Sequence, residues 1–197
     1  MAEKGGLELV APYCDIEERL AVVPPTARVR GLYFKSVHDA LKRANKLRKY
    51  KKYFPKERYS AIPHYPLTDY LLRVAVAGAL VASPERLHEG MFDVARGNAN
   101  AFMGSVLGRV MLRLHARNPI KVSEQGLAAR RQSLTYGRWE LVRHSSHHVE
   151  MVYRDEYQWI ESVIAGAAFG TFEACGLAPK LETILEDRFS GSTHIRW

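Results

Sequence analysis

The sequence predicts an α+β fold: a helical front half of about five helices, then a β-hairpin, a helix and a second β-hairpin, with the hairpins forming one four-stranded antiparallel sheet. Three observations predict it. Through Phe34, Val37, Leu41 and Leu47, and again through Phe102, Val106, Val110 and Leu114, apolar residues recur at helical spacing. The period then shortens to that of strands in Trp139-Glu140-Leu141-Val142 and Val149-Glu150-Met151-Val152-Tyr153, which flank the polar Ser145-Ser146. Finally, a helix rich in small residues, Trp159 to Cys175, separates this hairpin from two further strand-like runs, Lys180 to Leu185 and Thr193 to Trp197.

Taken in order, residues 1–27 read as a lead-in or edge strand, because Leu7-Glu8-Leu9-Val10 alternates and Pro24-Pro25 ends the stretch. Residues 28–197 read as a single α+β domain of a ligand-binding kind. Its first helix follows Gly31 and runs out into a basic segment. Pro66 suits the first turn of a helix over Leu67 to about Val81, and Ser83-Pro84-Glu85 repeats the device for the next. A break at Gly97-Asn98 is expected before the long stripe through Phe102 to Leu114. Asn118-Pro119 then opens a helix to about Leu134. Gly176 takes the usual position past the end of the Trp159–Cys175 helix, and Ser190-Gly191 turns the second hairpin.

At 197 residues, 47% hydrophobic and 25% charged, the chain is long enough and apolar enough to fold without help. Its first residues lack the basic start and apolar run of a secretory signal. The longest apolar stretch, Val74 to Ala82, covers only about half of the roughly 20 residues a membrane helix needs. Two cysteines are the usage of a reducing compartment. A soluble, cytoplasmic protein is the expectation.

Several segments are similar to one known family: Arg28-Val29-Arg30-Gly31-Leu32-Tyr33-Phe34, Tyr65-Pro66-Leu67, Ser105 to Val110, Thr135-Tyr136-Gly137-Arg138, Glu173-Ala174-Cys175-Gly176 and the closing Ile195-Arg196-Trp197. Together they resemble a paralogue-rich family of myxobacterial proteins with no established activity. The element order also resembles the superfamily of haem nitric-oxide-binding, 4-vinyl-reductase and transport-protein-particle (TRAPP) domains. That resemblance implies binding of haem, of small aromatic or lipidic ligands, or of protein partners, and pairing through helices into a homodimer. Haem would take a histidine from a front-half helix, where His88 and His115 are the candidates. The tyrosine-x-serine-x-arginine motif of the haem-binding relatives is missing, and Cys175 has no neighbouring cysteine for zinc. No cofactor is expected.

For the chemistry itself, no nucleophile elbow, phosphate loop or acid/base pair is visible, so no enzyme activity is expected. Cys175 sits on an apolar helix face before its C-terminus, where the helix dipole disfavours a thiolate. The leading reading is a small-molecule-sensing or protein-interaction (adaptor) domain with an apolar core or pocket lined by Phe102, Val106, Val110, Trp159, Val163, Phe169 and Phe172. A rival is polyanion binding, to nucleic acid or an anionic membrane. The segment from Lys42 to Arg58 holds the whole net charge of +8, and Lys42, Lys46, Lys49, Lys52, Lys56 and Arg58 are interleaved with Tyr50, Tyr53, Phe54 and Tyr59. A third reading is a haem or metal sensor. His144, His147 and His148, with Glu140 and Glu150, form the richest group of metal donors, but they sit at or beside the predicted turn, so a polar loop is the preferred reading and no metal site is expected there.

Overall fold

The computed structural model describes residues 2–55, 58–103, 109–110, 113–114 and 118–197. They form two compact units, Met1–Val94 and Ala95–Trp197.

The first unit is organised on α5 (Leu67–Val81), whose buried residues face every side, as in a helix enclosed by neighbours. Those neighbours are α1 (Ala2–Val10), α2 (Ile16–Val22), α3 (Gly31–Arg43) and α4 (Leu47–Tyr50). β1 (Arg28–Arg30) pairs antiparallel with β2 (His64–Pro66), which leads straight into α5. Leu7 to Val10, expected as an edge strand, are helical. Gly6 and Val10 are buried four positions apart and α1 packs on α5, so tertiary burial selects the helical period that a four-residue alternation leaves open. α6 (Leu87–Met103) approaches α5 at backbone distance. A Cβ on Gly78 would meet the Met91 nitrogen at 2.8 Å and the Leu87 oxygen at 2.9 Å, and one on Gly90 would strike the Gly78 carbonyl.

α6 continues through Gly97-Asn98, where the sequence suggests a break. One interior glycine costs a helix only about 1 kcal/mol. The turn containing Gly97 is anchored in the second unit, where Arg96 Nε donates to Glu173 Oε2 at 2.9 Å and the guanidinium lies 4.9 Å from the Phe169 ring.

In the second unit, β3 (Arg138–Ser145), β4 (His148–Arg154), β5 (Lys180–Leu185) and β6 (Gly191–Arg196) form one antiparallel sheet in the order β3-β4-β6-β5. This is the predicted α+β pattern. The inner face, Val149, Met151, Tyr153 and Ile195, packs against Ile160, Ile164 and Phe172, with Ile120 and Leu127 of α7 (Pro119–Ser133) completing the cluster. Asn118 caps α7 through its side chain, which accepts from the Lys121 nitrogen at 3.2 Å. A single π-helical turn, Ile160–Ile164, precedes α8 (Ala165–Ala174).

A buried polar clasp ties α7 to the sheet. Arg130 Nη2 donates to Glu156 Oε2 at 2.9 Å and to the Tyr136 carbonyl at 3.1 Å, while Trp139 Nε1 donates to the same Glu156 oxygen at 2.8 Å. The arginine plane lies 4.3 Å from the Trp139 ring. Gly137 turns the chain there with φ of 66°, and a Cβ on it would come within 2.9 Å of Arg130 Nη2 and of the Asp155 carbonyl. The Tyr136-Gly137 motif therefore serves the clasp.

Candidate metal centre on the outer face of the sheet

Alternation along β4 sends Val149, Met151 and Tyr153 inward and leaves His148, Glu150 and Val152 on the opposite face. On β6 the same alternation places His194 outward between the buried Thr193 and Ile195. The register sets Glu150 directly across from His194 and His148 across from Arg196, so the two histidines are diagonal neighbours. On β3 the pairing slips between Arg143 and Ser145. His144, within that irregularity, turns over the same face and stacks on His148 with ring centroids 4.5 Å apart.

His144, His148 and His194 each offer a nitrogen, and these nitrogens all lie within 4.8 Å of one another. His148 Nε2 is 3.1 Å from His194 Nδ1. Tetrahedral zinc with Zn–N bonds of 2.0–2.1 Å holds its nitrogens about 3.3 Å apart, so this pair already has the required spacing. The His144 ring must tilt out of its stack to join them. Its side chain is 40% exposed, which leaves it room to do so.

Glu150 organises the group. Its Oε2 lies 2.9 Å from His144 Nε2 and its Oε1 lies 3.8 Å from His194 Nε2. The hydrogen bond from His144 is the largest of the influences that hold the Glu150 carboxyl below its ordinary range. His148 is pushed the other way from a typical surface histidine: partial desolvation, then the charge of Arg196 and the two other histidines, lower its pKa, with Glu150 opposing. A neutral imidazole is the form that binds a metal ion. Arg196 itself is engaged by Glu182, Nη1 to Oε2 at 2.9 Å.

Of the three histidines singled out from the sequence, His144 and His148 belong to this group. His147 does not. Its ring lies 6.2 Å from that of Trp197, and it lines a cavity of about 400 Å³ with Asn118, Lys121, Glu124, Arg143, Ser146 and Trp197. His194, 46 residues beyond His148, carries no sequence signal that ties it to His144 and His148. Its period-2 place in the closing strand is legible, but the adjacency of β6 to β4 is a tertiary fact.

Among the apolar candidates, Trp159, Val163 and Phe172 are buried in packing, and Phe169 is half-buried beneath Arg96. Val110 is 48% exposed. Val106 and the Phe102 side chain lie outside the described residues. In the basic segment Lys42, Lys49, Lys52 and Arg58 are exposed, Lys46 is half-buried, and Lys56 lies outside the described residues. Tyr50 and Phe54, expected between the charges as stacking groups, are buried core residues, and Phe54 lies 4.5 Å beneath the buried Arg73 guanidinium.

Of the haem candidates, His88 is half-buried on α6 and makes an interaction of its own, and His115 lies outside the described residues. No single helix among the described residues is long and apolar enough to cross a membrane.

The fold is that of H-NOX domains. The chain is similar to the Fe(II) unliganded H-NOX protein from K. algicida, with a TM-score of 0.61 and 16% identity over 85% of this chain and 95% of that one. An oxygen-binding H-NOX domain related to soluble guanylate cyclases aligns with a TM-score of 0.61 at 15% identity, over 84% and 91%. An H-NOX protein from S. oneidensis in the Fe(II)NO ligation state gives 0.57 at 11%, over 85% and 98%. No curated protein matches in sequence. Over residues 23–197 the sequence matches the family described as "Protein of unknown function (DUF2378)", and the chain belongs to that family.

Proposed function

We propose that this protein is a non-enzymatic sensing domain whose ligand is a divalent transition-metal ion, held on the outer face of the sheet by His144, His148 and His194. The observation that carries this reading is the convergence of three imidazoles, from three adjacent strands, to within 4.8 Å of one another. Imidazole donors favour zinc, copper, iron and nickel over magnesium and calcium. The H-NOX-like fold supports a sensory role, since its structural relatives include an oxygen-binding domain and a Fe(II)NO complex. The two thiols suit a binding domain as well, because burial raises the pKa of both Cys14 and Cys175 and keeps them protonated.

Calorimetric titration with zinc at neutral pH tests the reading. One ion per chain is expected. Separate replacement of His144, His148 and His194 by Ala should each weaken binding by more than about tenfold, since even outer-shell partners of a metal are worth that much. His147→Ala should leave affinity unchanged. Absence of stoichiometric zinc binding, or equal losses from His147→Ala, refutes the assignment.

A further inference from the structure

Glu150 has both carboxylate oxygens turned toward histidines, Oε2 toward His144 Nε2 at 2.9 Å and Oε1 toward His194 Nε2 at 3.8 Å. The two nitrogens of His194 are thereby divided: Nε2 faces the carboxylate, and Nδ1 faces His148 Nε2 at 3.1 Å. His144 likewise commits Nε2 to Glu150, which leaves Nδ1 for an ion. This is the arrangement in which a carboxylate orients metal-bound imidazoles from behind, fixing the tautomer and raising the basicity of the ligating nitrogen.

Building on the metal reading above, we infer that Glu150 is a positioning residue rather than a ligand, that the chain supplies three nitrogens only, and that a bound ion keeps one exchangeable position for a small anionic or neutral donor molecule from solution. Three protein ligands plus an open position distinguish zinc sites that take up a ligand from closed, four-ligand structural sites. Charge agrees with this. Three neutral rings and one carboxylate leave a divalent ion with unneutralised positive charge, which attracts an anion or a lone-pair donor.

The full-length protein loaded with Co(II) provides the test, because the visible bands of cobalt report coordination directly. Azide is the probe ligand. The expected result is that the bands shift saturably with one azide per ion. Glu150→Gln should retain the bands and the azide response while metal affinity drops about 10- to 100-fold. Bands that ignore azide would show that no position is exchangeable, and their complete loss in Glu150→Gln would show Glu150 to be a ligand; either result overturns the inference, while cobalt bands in the wild type leave the metal reading standing. If the wild-type protein develops no cobalt bands and binds no zinc, the metal reading itself fails.

Discussion

Replacing Arg130 by Met should destabilise the second unit by about 3 kcal/mol, and the clasp around Glu156 sets that figure. Breaking a buried ion pair by removing one partner costs about 3–5 kcal/mol, because the remaining charge is left without its counterpart. Arg130 is 7% exposed and Glu156 fully buried. Glu156 would keep two hydrogen bonds, from Trp139 Nε1 at 2.8 Å and from the Gln158 nitrogen at 3.0 Å. These lower the estimate to the bottom of the range. Loss of the guanidinium from the Trp139 face, worth about 0.5–2 kcal/mol, keeps it from falling further. Urea unfolding followed by tryptophan emission is the assay, and all three tryptophans, Trp139, Trp159 and Trp197, lie in the second unit. The double variant Arg130→Met with Glu156→Gln should lose less than the sum of the single variants, with a coupling of about 1–3 kcal/mol. A loss below about 1 kcal/mol for Arg130→Met, or strict additivity, would refute the claim that this pair carries the clasp.

Four further outcomes are expected. Zinc at a hundredfold excess over its dissociation constant should stabilise the protein by about 2.7 kcal/mol, read as a rise in melting temperature that His148→Ala abolishes. Cys14, whose thiol burial pushes up to about 11 from an ordinary 9.0, should be alkylated at pH 8 roughly 200-fold more slowly than a free thiol of pKa about 8.5. The same shift means that stability linked to this thiol is intact below about pH 9 and is lost as pH rises through about 11, which pH-dependent urea midpoints would reveal. If the basic segment binds polyanions, it does so chiefly through charge, because Tyr50 and Phe54 are buried and Tyr53 and Tyr59 are half-buried. Changing Lys46, Lys49 and Lys52 together to Gln should then reduce the log–log salt slope on duplex DNA by roughly 2 to 3, and no DNA binding by the wild type at about 50 mM salt would dismiss that role.

Local signals that agreed with tertiary burial were legible in the sequence. Pro66 and the apolar run behind it place α5 at Leu67–Val81, as found, and the change to period 2 places both hairpins. Where local signals were ambiguous, packing decided. Leu7 to Val10 alternate like a strand yet form part of α1, and Gly97-Asn98 look like a break yet lie inside α6, held by Arg96 and its partners. The metal group was half visible. His144 and His148 sit on the first hairpin, where their clustering is obvious, but their third partner arrives from a strand 46 residues away. Only the β4–β6 register, which sequence periodicity does not specify, brings His194 across from Glu150.

X-ray absorption at the zinc edge of the loaded protein tests the central claim most directly. The account predicts three imidazole nitrogens at about 2.0–2.1 Å with one further light-atom ligand supplied by solvent, and loss of one imidazole shell in His194→Ala. A spectrum showing sulfur at about 2.3 Å, or a first shell of oxygen alone, would contradict it.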